Sequence, residues 1–107
     1  MWDEIQERTK KLDQAIAHLA ENGRALAEKE KEYKIALNQK ALQLRAEDMP
    51  VTLINQVIYG YEDIALLRLA RDTAQVKYNA NQEFINVLKL EIRILENQIA
   101  REYGNTK

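Results

Sequence analysis

The chain of 107 residues carries 16 Lys and Arg against 17 Asp and Glu, a near balance that gives no general attraction to nucleic acid or to anionic membrane. Three Gly and one Pro leave little material for strands and turns, and the absence of Cys removes disulfides, thiolate metal sites and cysteine nucleophiles. With 31% charged and 46% hydrophobic residues the composition is that of long, solvated helices rather than of disorder, so a single all-α domain is expected.

The opening residues, MWDEIQERTKK, mix charges from Asp3 onward and contain no apolar run of signal-peptide length. No segment approaches the roughly 20 apolar residues of a membrane span. A soluble, cytoplasmic protein with no membrane association is the expectation. From about Trp2 to Glu47 a heptad pattern holds its phase, with Trp2, Thr9, Ile16, Gly23, Glu30, Leu37 and Leu44 in one core column. Ile5, Leu12, Leu19, Leu26, Tyr33 and Lys40 form the other. Asn22-Gly23 would ordinarily mark a turn, but the residues on either side share one register, which predicts a single helix that is weak or bent there.

Asp48-Met49-Pro50 ends this helix, because proline disfavours helical geometry in the residue before it and has no N–H to donate. Val51 to Tyr59 reads as a short amphipathic helix with Thr52 as its N-cap; Leu53, Ile54, Val57 and Ile58 share one face. Gly60 is placed to terminate it with a positive φ. The nearest apolar surface for that face is the open end of the bundle around Leu42, Leu44, Ile64 and Leu67, which predicts a lid and leaves the same face as a second candidate for partner binding.

A second long helix is predicted from Tyr61 to about Tyr103, opened by Glu62 and Asp63, whose charges suit a helix N-terminus. Its seam is Ile64, Leu67, Arg71, Ala74, Tyr78, Asn81, Ile85, Leu88, Ile92, Leu95 and Ile99, followed by a frayed tail of Gly104-Asn105-Thr106-Lys107. Two helices, each roughly 65 Å long at 1.5 Å per residue, joined by so short a connector, predict an antiparallel hairpin. Its expected pairings are Leu44 with Leu67, Leu26 with Ile85, and Ile5 with Ile99 and Tyr103. Glu30 would face Tyr78 and Asn81.

Phe84, Val87, Leu90 and Ile94 lie off that seam, so a single partner helix cannot cover them together with Leu88. A contiguous exposed apolar row is rare on soluble monomers, and two hairpins packed through this face would form a dimeric four-helix bundle. A homo-oligomer is therefore expected, with these four residues at its interface.

For chemistry the sequence offers little. His18 is the only histidine and sits on the outer surface; no Glu-x-x-His pair, glycine-rich phosphate loop or nucleophile with a base occurs. Neither an enzyme nor a cofactor is expected. Lys40, Arg45, Arg68 and Arg71 make a positive collar near the connector that could contact phosphates, but Glu47, Asp48, Glu62 and Asp63 at its tip oppose that. Nucleic-acid binding is the second reading and not the favoured one.

The features Met49 to Thr52, Gly60, Arg68 to Asp72, Glu83 to Leu95 and Arg101 to Gly104 together give the chain a resemblance. It resembles small uncharacterised all-helical proteins encoded by phages and prophages of Gram-positive bacteria, with the N-terminal helix matching only in character. The resemblance implies a phage accessory protein working in the cytoplasm of a bacterial host by binding a host or phage protein, with a nucleic-acid-binding module of phage replication or recombination as the second reading. It supplies no catalytic residues. Secreted helical hairpins with a Trp-x-Gly turn are set aside, because this connector offers Tyr59-Gly60 and the single Trp is Trp2.

Overall fold

The computed structural model describes residues 1–105. Helix α1 spans Trp2–Ala46, α2 Val51–Val57 and α3 Glu62–Asn105, with a 3₁₀ turn at Ile58–Gly60; no strand occurs among the described residues. The two long helices, α1 and α3, pack against each other. Helix α3 continues through Gly104 to Asn105, where a frayed tail is expected; Thr106 and Lys107 lie outside the described residues.

The stop after α1 is local chemistry. The Met49 N–H donates to the Leu44 carbonyl and the Asp48 N–H to the Arg45 carbonyl, each at 3.1 Å, and Asp48 has φ 65°. This is the paired hydrogen-bond closure of a helix through one left-handed residue, accompanied by packing of Met49 on Leu44. Asp tolerates that backbone better than most non-glycine residues, at a cost that glycine would avoid.

Two features predicted for the connector differ. Pro50, with φ −61° and ψ 144°, occupies the N-cap of α2, and its carbonyl accepts the Leu53 and Ile54 N–H groups at 3.0 Å. Thr52 therefore lies inside the helix and caps nothing; the fixed φ of proline starts the helix without a side-chain oxygen. No glycine has a positive φ. Gly60 ends a 3₁₀ turn from which the chain leaves through extended Tyr61, and a Cβ there would meet nothing within 4 Å.

The chain forms two compact units. One comprises Asn22–Lys77. Its core is Leu44, Ile54 and Ile58, all buried, with Leu37, Ala41, Met49 and Tyr61 packed around them. Ile64, at the start of α3, is fully buried. Helix α2 thus lies on the last turns of α1. Leu42 is 65% exposed and is not part of that contact, and Leu53 at 41% turns away from it, whereas Val57 is half-buried. Burying side chains as fully as Leu44, Ile54 and Ile58 stabilises by about 1.5–3 kcal/mol each.

The other unit comprises Met1–Glu21 and Tyr78–Lys107. Its buried residues are Ala15, Ile85 and Leu88, flanked by Leu12 and Leu19, with Ile99 buried farther along α3. Ile5, Ile92 and Leu95 are half-buried. Asn81 Nδ2 donates to the Ala15 carbonyl at 3.0 Å, and Arg8 pairs with Glu91, so polar groups bridge the two helices directly. Such cross-helix polar contacts fix alignment more than they add stability.

Along α3 every residue of the predicted seam is buried or half-buried. Along α1 one column shifts. Its inward residues run Ile5, Arg8, Leu12, Ala15, Leu19 and Asn22, then Leu26, Glu30, Tyr33, Leu37, Lys40 and Leu44. The alternation of three- and four-residue steps breaks where Asn22, Leu26 and Glu30 follow at two steps of four, an insertion that changes the phase of a heptad. Ile16, expected in the core, is consequently 48% exposed, and Trp2 and Thr9 are exposed with it. The pairing register differs too. Ile85 packs on Ala15, Leu12 and Leu19, and Leu44 packs on Ile54 and Ile58 rather than on Leu67. The reason is that α2 occupies the flank of α1 from Leu37 to Leu44, so that α3 begins opposite Lys40, which pairs with Asp63.

Candidate interaction surface

In the unit built from Met1–Glu21 and Tyr78–Lys107, Phe84, Val87, Leu90 and Ile94 are 49%, 48%, 53% and 47% exposed. They stand on α3 because helical spacing turns Ile85, Leu88, Ile92, Leu95 and Ile99 toward α1 and leaves these positions to the other side. Trp2 and Tyr103, 59% and 64% exposed, line a shallow cleft with Met1, Ile99 and Glu102. Placing Trp2 in a core column hid this feature from sequence reasoning; only the phase shift of α1 moves it outward.

In the unit Asn22–Lys77 the cations of the predicted collar are engaged locally. Lys40 Nζ lies 3.1 Å from Asp63 Oδ2 and 4.9 Å from the centre of the Tyr61 ring, with its side chain only 16% exposed. Arg71 Nη2 bonds Asp72 Oδ1 at 2.8 Å while the guanidinium lies 4.8 Å from the Tyr33 ring centre. Arg68 stacks over Tyr59 at 5.2 Å, and Arg45 Nη1 donates to the Met49 carbonyl at 3.2 Å. The tyrosine platforms were not foreseen, since Tyr33 alone fell in a core column and none carried a motif. The carboxylates of Asp63 and Asp72 offset the charges of Lys40 and Arg71, whereas the Met49 carbonyl and the Tyr59 ring hold Arg45 and Arg68 in place without neutralising them.

Titration follows the same pairings. The hydrogen bond from Lys40, helped by the Ile64 N–H, holds the Asp63 carboxyl below its usual range against the opposing effect of desolvation. Asp72 raises Arg71, and Glu91 raises Arg8, each chiefly through a hydrogen bond. Glu30 Oε1 lies 3.5 Å from Lys34 Nζ on its own helix. His18 is largely exposed, with Nδ1 3.7 Å from Glu21.

On the connector, Ile54 and Ile58 face α1, while Val51, Leu53 and Tyr59 are 55%, 41% and 46% exposed. Among the described residues no three His, Cys, Asp or Glu side chains are grouped so as to hold a metal ion, and no helix is long and apolar enough to cross a membrane. Comparison with protein-family models, curated proteins and solved structures gives no match.

Proposed function

We propose that this chain is a non-enzymatic accessory protein that acts through protein–protein contact as a helical homo-oligomer. The observation that carries this reading is the half-exposed row of Phe84, Val87, Leu90 and Ile94. Covering the exposed half of each contributes about 1 kcal/mol, taking half of the value for full burial. Two copies meeting through this face would therefore gain about 8 kcal/mol before association costs of about 4–15 kcal/mol. The row alone supports a weak dimer, and flanking contacts set its final strength. Antiparallel hairpins joined through α3 form a four-helix bundle, the arrangement that buries such a row with the fewest copies.

The resemblance to phage and prophage proteins supports work in a bacterial cytoplasm on a host or phage protein, by surfaces left free in the oligomer. The nucleic-acid reading has less to stand on, because Lys40, Arg45, Arg68 and Arg71 are each occupied by an acceptor or an aromatic face. Light scattering at micromolar concentration tests the oligomer, with Ile94→Glu as the variant expected to give a helical monomer. A monomeric unmodified protein would overturn the reading.

A further inference from the structure

We propose that Asn22-Gly23 is a self-modification site, at which the α1 backbone converts Asn22 to a mixture of aspartate and isoaspartate. Three observations meet there. The inward-facing set of α1 changes phase between Asn22 and Glu30, a stretch that opens on these two residues, the chain divides between its two compact units at Glu21 and Asn22, and glycine follows the asparagine in the middle of a helix of 45 residues. Glycine weakens a helix interior and a phase change loosens its packing, so α1 opens here more readily than elsewhere along its length.

The chemistry needs no partner. On opening, the Gly23 backbone nitrogen gives up its proton to solvent base and attacks the Asn22 side-chain carbonyl carbon. A new C–N bond closes a five-membered imide and the side-chain nitrogen leaves as ammonia. Water then opens the ring at either carbonyl, giving aspartate when the backbone link is restored and isoaspartate when the side-chain carbon stays in the main chain. The absent Cβ of Gly23 is what lets its nitrogen approach. While α1 is closed, helical geometry holds that nitrogen away from the side chain, so the rate measures how often this turn opens. The products matter for the fold: a carboxylate at a half-buried position, and an extra main-chain carbon that interrupts α1.

The experiment uses the intact protein in mildly alkaline buffer at physiological temperature, with tryptic mapping of the segment 12–24 over time and a parallel sample in urea. The expected result is conversion at Asn22 on the order of tenfold slower than in urea, and on the order of tenfold faster than at Asn38, Asn55, Asn81 or Asn86 in the folded sample. Asn22→Gln should remove the converted peptide while leaving the helix signal in circular dichroism unchanged. If Asn22 in the folded protein converts no faster than those other asparagines, while the urea sample converts readily, α1 does not open there and the proposal fails. Conversion at the same rate in both samples would equally overturn it, since the helix would then be open rather than opening.

Discussion

The two compact units solve the same problem, holding α1 against α3, with different means. In the unit Asn22–Lys77 a third element is at hand: α2 and the 3₁₀ turn add Ile54 and Ile58 to Leu44, and cations close over tyrosines around them. In the unit formed by Met1–Glu21 and Tyr78–Lys107 there are only two helices, and the buried set reduces to Ala15, Ile85 and Leu88 with Ile99 beyond. Two helices bury one stripe each. Both units leave apolar side chains partly in water, Leu66, Leu69 and Val76 among those of the first and Phe84, Val87, Leu90 and Ile94 among those of the second. The lesson is that the third element thickens the core of the first unit, while the second unit rests on a single two-helix seam.

The sharpest way to break the comparison is Leu88→Glu, which buries an unpaired carboxylate in the thin core and should cost several kcal/mol. We expect loss of the cooperative thermal transition. If the variant melts like the unmodified protein, the core has been misassigned. In the better-covered unit, Ile54→Ala should destabilise by about 2–4 kcal/mol, since it empties a site walled by Leu44 and Ile58. The amides of residues 54–58 should be protected from hydrogen exchange in the unmodified protein and exchange faster in the variant. Fast exchange there without the substitution would show that α2 is not a structural lid.

Smaller effects sharpen the picture of the connector. Asp48→Gly should raise stability by about 0.5–1 kcal/mol by relieving the left-handed backbone at the end of α1, read as a higher midpoint in urea. The charge pair Lys40 and Asp63 gives the smallest effect, since Asp63 is 60% exposed. Its carboxyl titrates below the ordinary range, so the pairing is complete above the unfolded value and is lost as pH falls through the folded one, below about pH 4. Lys40→Met should move the Asp63 titration, followed by carbon NMR, back up toward its usual value. An unmoved titration would show that Lys40 is not the cause.

Much of this difference could be read from the residues. The α3 seam was legible because apolar residues recur from Ile64 to Ile99 without a glycine, and because Arg71, Tyr78 and Asn81 fit the same steps. The apolar face of α2 was legible through Ile54 and Ile58, as was the row on the free side of α3. The phase of α1 was not: Ile16 and Ala15 are neighbours, heptads accept either, and the choice depends on a shift between Asn22 and Glu30 that several heptads of context conceal. Nor was the left-handed residue, because Gly60 offered the obvious candidate while the demand for such a backbone arose at Asp48, where α1 meets Pro50. The pairing register escaped for a related reason. It depends on how much of α1 the connector covers, and that is set by packing of Ile54 and Ile58 rather than by any residue of the seam.

The central claim, that the half-exposed row of α3 is covered by a second copy, is tested most directly by the mass of the unmodified protein in solution. Sedimentation equilibrium from low micromolar to several hundred micromolar should give a dimer or a larger oligomer, and Ile94→Glu should reduce it to a monomer of nearly unchanged helix content. A protein that stays monomeric across that range would contradict the account.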